Sequence, residues 1–282
     1  MRHVVALALL AAVCAASSAA SGTAFVLPYD LVVARDGTVY FTDRARVLRL
    51  EPKTGQVRVH RSIPGAKELV GLARLPDGTL FAADLPSGKI LRVPPKGTAT
   101  RVATVPMPVD LLADPAGETL WVASIADDVG LVRVNLDTGA VAPFAEVDAP
   151  HGLDRLPGGD LVVHDGHAVS RVDASTGEKT PYASVDAFKL AAAQDGSVYG
   201  ATGSPSGGRV IRISSTGRVT RIAGTGRLGT HRDGQALRAP MLPSAIAVAR
   251  DGSLLVAQIE PVPAIRRVRP ARGMISTLAL GR

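Results

Sequence analysis

A unit of about forty residues recurs six times along this chain, and its period limits the folds that the chain can adopt. The stretch GLARLPDGTLFAADLPSGKILRV, residues 71–93, returns in weaker form as GLDRLPGGDLVVHDGHAVSRV at residues 152–172. A turn dipeptide marks each unit, at Asp36-Gly37, Asp77-Gly78, Ala116-Gly117, Gly158-Gly159, Asp195-Gly196 and Asp251-Gly252. The last interval is clearly longer than the others, which indicates one insertion.

Each unit carries four short aliphatic runs separated by Gly, Pro and Asp turns, a pattern typical of a four-stranded antiparallel meander. No segment beyond the N-terminal region follows a helical period. One such sheet is too small to bury both of its faces, so the units must pack against one another. We therefore predict an all-β fold, a six-bladed β-propeller of four-stranded antiparallel blades. A β-helix is the alternative, although its rungs are usually shorter.

The N-terminal stretch MRHVVALALLAAVCAASSAASG has the organisation of a secretory signal peptide. Its apolar run is shorter than the roughly 20 residues that a membrane span needs, and Ser18 and Ala20 form a small-x-small cleavage site. We expect residues 1–20 to be removed and residues 21–282 to form one domain, a secreted or periplasmic monomer without a transmembrane segment. Val13 occupies a position where a lipobox has a small residue, which argues against lipoprotein anchoring through Cys14.

The chain has a formal net charge of +7, but its basic residues are distributed rather than clustered. One arginine recurs at an equivalent position of the third run in each unit, at Arg49, Arg92, Arg133, Arg171, Arg212 and Arg267. A charge placed once per repeat is spread around a propeller, and no basic helix or stripe of aromatic residues accompanies it. We therefore expect no nucleic-acid partner.

Residues 243–258, PSAIAVARDGSLLVAQ, resemble the NHL repeat, which runs from a Pro-x-Gly-Ile-Ala-Val strand through an Asp-Gly turn into a Leu-Tyr-Val-Ala-Asp strand. The resemblance extends over most of the chain after residue 27 and implies the propeller fold. The chain thereby resembles in shape the propellers of the SMP-30/gluconolactonase and streptogramin lyase families. Proteins of this shape include hydrolases, lyases and plain binding propellers. The pattern therefore specifies a fold well and an activity poorly.

The candidate site lies opposite the turns, where the first strand of each blade begins. Seven residues before each turn are Tyr29, Val70, Val109, His151, Phe188 and Ser244; six residues before are Asp30, Gly71, Asp110, Gly152, Lys189 and Ala245. First strands are innermost in a propeller, so these residues approach the mouth of the central channel. Asp30, Asp110 and Lys189 stand where the repeat favours glycine. The insertion, residues 224–240, is expected to overhang the same face with His231.

These residues leave several chemistries open. His151, Lys189 and Asp110 are candidate catalytic residues, with His151 as acid or base and Lys189 stabilising negative charge. Asp30, Asp110, His151, Lys189 and His231 are candidate ligand-binding residues. His151, Asp30 and Asp110 could instead hold one divalent cation, Ca, Zn or Mn, and His164 and His167 are further candidate imidazoles. Asp30, Asp110 and Lys189 could equally be solvated or paired as ions at the channel mouth.

Two sequence motifs of the related enzyme families are only partly present in this chain. The stretch APHGL resembles the first histidine motif of streptogramin lyases at His151, but Phe188 and Lys189 stand where those lyases have a second histidine. The single asparagine, Asn135, lies on a third strand, so the Glu-Asn-Asp cation set of gluconolactonases is missing. At the ends of the second strands, Asp43, Asp84 and Asp165 recur in a position that favours a structural role.

Two functional hypotheses remain. The first is a binding module at the cell envelope whose upper face holds a small molecule, a glycan or an envelope protein. The alternative is a metal-assisted or general acid/base hydrolase or lyase that acts on a lactone or cyclic ester. The sequence leaves open whether the chain is an enzyme.

Overall fold

A computed structural model of the chain describes residues 23–281, and the predicted signal peptide lies outside this range. The described chain forms six antiparallel sheets, five of four strands and one with a fifth strand at its edge, and they are arranged as the predicted six-bladed propeller. Three short 3-10 turns are the helical elements within this range, and no helix there is long and apolar enough to cross a membrane.

The strands follow the repeat closely. Blades 1 to 3 contain β1 (Leu31–Val33), β2 (Val39–Asp43), β3 (Arg46–Glu51), β4 (Gln56–Ser62), β5 (Leu69–Arg74), β6 (Leu80–Asp84), β7 (Lys89–Val93), β8 (Thr100–Thr104), β9 (Pro108–Ala113), β10 (Thr119–Ser124), β11 (Gly130–Asn135) and β12 (Val141–Ala145). Blades 4 to 6 contain β13 (Leu153–Arg155), β14 (Leu161–Asp165), β15 (Ala168–Val172), β16 (Lys179–Ala183), β17 (Lys189–Ala192), β18 (Val198–Ser204), β19 (Gly207–Ile213), β20 (Val219–Ala223), β21 (Gly234–Gln235), β22 (Leu242–Val248), β23 (Leu254–Glu260), β24 (Ala264–Arg269) and β25 (Met274–Leu280).

The marked dipeptides form the turns between first and second strands. All six turn glycines have positive φ, from +74° to +103°, a conformation that costs glycine little. In four units the turn aspartate accepts a hydrogen bond from the backbone N–H two residues later, as Asp36 does from Thr38 at 2.9 Å. These turns define the lower face of the propeller, and the beginnings of the first strands define its upper face.

Six apolar clusters hold the ring together, one between each pair of neighbouring blades. They consist mainly of Val, Leu, Ile and Ala from alternate positions of the strands, as expected for sheets that pack face to face. The ring closes by the same packing, because each blade is built from consecutive strands and β1 packs directly beside β22. Phe25 strengthens this joint, with its ring 5.0 Å from that of Phe41.

The recurring aspartates at the ends of the second strands anchor the segments that enter each blade. Asp84 is fully buried and accepts hydrogen bonds from the backbone N–H groups of Lys67 at 3.0 Å and Glu68 at 2.8 Å. Asp43 accepts in the same way from Val26 and Leu27, before the first blade. The structural role expected from the repeat is therefore present.

The insertion reaches the outer part of the upper face, where His231 bonds to Gln258 near the end of β23 at 2.6 Å. Its strand β21 pairs with β25 at the outer edge of blade 6 and makes this a five-stranded sheet, while Ala236 and Ala239 pack between blades 5 and 6. The fully buried Arg266 donates to the carbonyl oxygens of Pro240 at 3.3 Å and Arg232 at 2.5 Å. The insertion therefore pairs with the free edge of the sheet and fills an apolar gap between two blades.

Candidate functional site

A cavity of about 420 Å³ opens at the upper mouth of the channel and is here called the upper cavity. All six residues that precede the turns by seven positions line it, so every blade contributes: Tyr29, Val70, Val109, His151, Phe188 and Ser244. Leu85, Ile125, Leu242, Pro243 and Ile259 extend its apolar wall, and Lys189 lies beneath. The counting from the turns therefore placed these residues correctly.

Three of the residues that precede the turns by six positions form one buried cluster across the channel, the ion triad of Asp30, Asp110 and Lys189. The Lys189 ammonium lies 2.9 Å from the Asp110 carboxylate and 3.4 Å from the Asp30 carboxylate. It also donates to the Val109 carbonyl oxygen at 3.4 Å. The three residues that break the repeat thus compensate one another.

The two carboxylates of the triad also connect neighbouring blades. Asp30 accepts from the backbone N–H of Leu72 in the next blade at 2.8 Å, and Asp110 accepts from Leu153 at 3.0 Å. These N–H groups lie on the inner edges of innermost strands, where no further strand can pair with them. Since unpaired buried N–H groups are costly, the carboxylates stabilise the ring where it is narrowest.

Asp154 connects two blades in the same way, closer to the lower face, and the sequence did not single it out as a candidate. Its carboxylate accepts from the backbone N–H of Ala192 in the next blade at 2.7 Å and from that of Arg155 at 2.7 Å. Burial raises the pKa of Asp154 to about 6. The equivalent positions of the other units are apolar, so a carboxylate there was a visible break in the repeat.

Burial and the neighbouring charges shift the pKa values of Asp30 and Lys189. Burial raises the pKa of Asp30 to about 8, against the opposing effect of Lys189, and Asp110 raises it further. For Lys189, burial alone would lower the pKa, but the attraction of Asp110 and Asp30 outweighs it and the net pKa is raised. The raised pKa values favour the protonated carboxyl group on Asp30 and the ammonium form of Lys189.

Glycine occupies two of the remaining positions of this layer because the inner strands converge there. A Cβ atom on Gly152 would lie 2.5 Å from the Phe188 carbonyl oxygen and 2.8 Å from the Lys189 Cα. On Gly71 it would lie 3.1 Å from the Asp110 Cα. The glycine preference of the repeat is thus a consequence of close backbone approach.

His151 is the titratable residue that lines the upper cavity without an ionic partner in the part of the chain that the structure describes. Its Nδ1 donates to the Ala149 carbonyl oxygen at 2.9 Å, which leaves Nε2 as an acceptor. Burial lowers the pKa of His151, so the ring is neutral near pH 7. The His164 ring lies edge-on to it, 5.4 Å between centroids, and the Nε2 of His164 bonds to Asp186 at 3.1 Å.

The remaining sequence candidates lie elsewhere. No group of three or more His, Cys, Asp or Glu residues between residues 23 and 281 could hold a metal ion, so His151, Asp30 and Asp110 do not assemble as the predicted set. The Lys189 ammonium already occupies the space between the carboxylates. His231 bonds to Gln258 at 2.6 Å beside the insertion and does not line the upper cavity. His167 is exposed, 3.6 Å from Asp186.

Below the triad the channel continues as a second cavity of about 290 Å³, here called the lower cavity. Asp30, Asp110, Asp154 and Lys189 line it together with the main chain of the inner strands. Lys189 lines both cavities, so the triad lies between an apolar space above and a polar space below.

Known structures share this architecture, although no protein-family model and no curated protein matches the sequence. A gluconolactonase from Xanthomonas campestris superposes with a TM-score of 0.65 at 15% identity, over 83% of this chain and 84% of that chain. The virginiamycin B lyase from Staphylococcus aureus gives 0.60 at 18% identity, over 89% and 83%. A chain of a nidogen/laminin complex gives 0.70 at 15% identity, over 87% and 93%. Identities this low establish the fold alone.

Proposed function

We propose that this chain is a secreted or periplasmic binding propeller that takes a small molecule into the upper cavity. The observation that carries the proposal is the cavity itself, to which all six blades contribute a side chain at the mouth of the channel. A concave, mostly apolar space with a few polar groups is the usual form of a small-molecule site. The three similar structures above include two enzymes and a chain of a nidogen/laminin complex, so the fold is compatible with binding as well as with catalysis.

The test compares the wild type with a variant whose cavity is filled. Val109→Trp places an indole in the cavity, whereas Val59→Trp adds the same group at an exposed position of the outer strand β4, where Val59 is 43% exposed. Each protein is purified from the periplasm, denatured, and the small molecules that it releases are measured by mass spectrometry. We expect a compound released by the wild type and Val59→Trp and absent from Val109→Trp. Equal release from all three would refute a ligand in this cavity.

The envelope location rests on the N-terminal sequence and needs its own test. We expect protein from the periplasm or medium to begin at Ser21, as measured by intact mass. Cleavage there keeps the segment that packs against blade 1, since Arg46 donates to the Ala24 carbonyl oxygen at 3.1 Å and Phe25 is fully buried. An intact N-terminus on protein retained in the cytoplasm would contradict a secreted protein.

A second candidate function is acid/base catalysis on a lactone or cyclic ester, because His151 lines the cavity and its bond to Ala149 through Nδ1 leaves Nε2 unprotonated. A lowered pKa keeps this imidazole available as a general base near neutral pH. Ring opening of dihydrocoumarin, followed in a pH-stat, tests it. We expect turnover that falls at least 100-fold in His151→Ala if the residue is the base. A rate no higher than that of buffer would leave the binding function alone.

A further inference from the structure

We propose that the ligand of the upper cavity is an uncharged, mainly apolar molecule that carries one hydrogen-bond donor, an O–H or N–H group, and that this donor binds to Nε2 of His151. The inference rests on the proposed binding function and specifies the chemical class of its ligand. It follows from a count of the hydrogen-bonding groups in the cavity.

Most side-chain donors of the cavity face an acceptor within the protein. The Ser244 hydroxyl donates to the Pro28 carbonyl oxygen at 2.6 Å, and His151 uses Nδ1 on Ala149. Burial and the nearby Glu68 carboxylate raise the pKa of the Tyr29 hydroxyl to about 12.

Lys189 is engaged in the same sense. Its ammonium nitrogen lies 2.9 Å from the Asp110 carboxylate and 3.4 Å from the Asp30 carboxylate, and it donates to the Val109 carbonyl oxygen. The positive charge is balanced inside the triad and is not offered to a ligand in the cavity above. A carboxylate, sulfate or phosphate would find no unpaired cation among the residues that line the cavity, and burying an unpaired charge is strongly unfavourable.

The acceptors, in contrast, remain available. Nε2 of His151 has no bond to any described residue, and it belongs to a ring whose pKa is lowered by burial. The other residues of the wall are apolar, with Val70, Phe188 and Leu242 as examples on three blades. A ligand with one donor and an apolar body satisfies this surface. A sugar would bury several hydroxyl groups against aliphatic side chains.

A matched series of naphthalenes tests the inference by isothermal titration calorimetry at pH 7.5. The compounds are 1-naphthol with a donor, 1-methoxynaphthalene without one, and 1-naphthoate with a negative charge. We expect 1-naphthol to bind about five- to tenfold more tightly than the ether, the usual worth of one hydrogen bond. Naphthoate and glucose should bind at least tenfold more weakly than 1-naphthol.

Two variants locate the effect. His151→Phe keeps an aromatic ring but removes the acceptor, so the preference for 1-naphthol over the ether should disappear while the ether still binds. Val109→Trp should abolish binding of both compounds, and Val59→Trp should change neither. A preference that survives in His151→Phe would overturn the inference.

The outcomes separate this inference from the binding function. Tighter binding of naphthoate or glucose, sensitive to Val109→Trp, would refute the ligand class and leave a binding cavity. The same conclusion follows if no naphthalene binds but a compound is released from the wild type and not from Val109→Trp. If no probe and no released compound responds to Val109→Trp, the binding function itself fails.

Discussion

Two aspartates of the first unit, Asp36 and Asp30, are six residues apart in sequence and lie at opposite ends of one strand. Asp36 lies in the lower turn, where the hydrogen bond from the Thr38 backbone N–H lowers its pKa. Asp30 lies at the upper end, where burial raises its pKa. Aspartate recurs at the lower turn in four of the six units, where the chain turns at the surface. At the upper end, where six strands converge, Asp30 departs from the repeat and is buried.

The comparison also separates two ways of using a carboxylate. At the lower face each aspartate serves its own turn, so one unit is independent of the next. At the upper end Asp30 bonds to the backbone of blade 2 and to Lys189 of blade 5. Positions that repeat therefore stabilise a blade, whereas positions that break the repeat stabilise the ring. The following changes test this difference, from the largest expected effect to the smallest.

Lys189→Met should have the largest effect, because it leaves two buried carboxyl groups without their cation. We expect the free energy of unfolding to fall by about 3–5 kcal/mol at pH 8.5, measured by urea denaturation. The triple variant Asp30→Asn, Asp110→Asn, Lys189→Met removes the charges together and should recover most of the loss. A single variant within about 1 kcal/mol of the wild type would show that the triad does not stabilise the ring.

Asp84→Ala tests an aspartate that repeats but is buried. It leaves the N–H groups of Lys67 and Glu68 without an acceptor, so we expect a loss of about 2–3 kcal/mol in the same measurement. Asp84→Asn retains one acceptor oxygen and should lose clearly less. If the two variants are equally stable, the backbone bonds do not account for the recurrence of this residue.

Asp30→Asn should change the pH dependence of stability. The folded pKa of Asp30 lies near 8, above its unfolded value of 3.8, so its contribution is complete below pH 4 and is lost as the pH rises through 8. Between pH 6 and 8, the free energy of unfolding of the wild type minus that of Asp30→Asn should shrink by about 1–2 kcal/mol. Asp154, whose pKa is about 6, is present in both proteins and does not contribute to this difference. Asp36→Asn is the control. Because the pKa of Asp36 is lowered in the folded protein, the difference in free energy of unfolding between the wild type and this variant should not shrink over this pH range. An advantage that stays constant or grows would contradict the raised pKa.

Asp36→Ala should have the smallest effect of the series. Asp36 is exposed, and its one bond to Thr38 lies within a turn that glycine already permits. We expect a loss of at most about 1 kcal/mol by urea denaturation. A loss as large as that of Asp84→Ala would erase the distinction between solvent-exposed turns and the buried anchors.

The fold and much of the site followed from counting along the repeat. The turn dipeptides gave the blade boundaries, and the positions seven residues before them gave the lining of the upper cavity. His231 bonds to Gln258 near the end of a second strand, as expected for the upper face, and its role in ligand binding stays a prediction. Asp186 was missed because its contact with His164 joins two segments that the repeat does not relate.

The sequence by itself determined the six blades, the direction of each strand and the residues that face the channel, because these depend on local turns and on strand alternation. Only the tertiary structure decided which of those residues satisfy one another. Asp30, Asp110 and Lys189 come from blades 1, 3 and 5, and nothing local to any of them indicates that they meet. The distances across the channel, and the burial of all three side chains, turn three apparent functional charges into a self-compensating cluster beneath an apolar cavity.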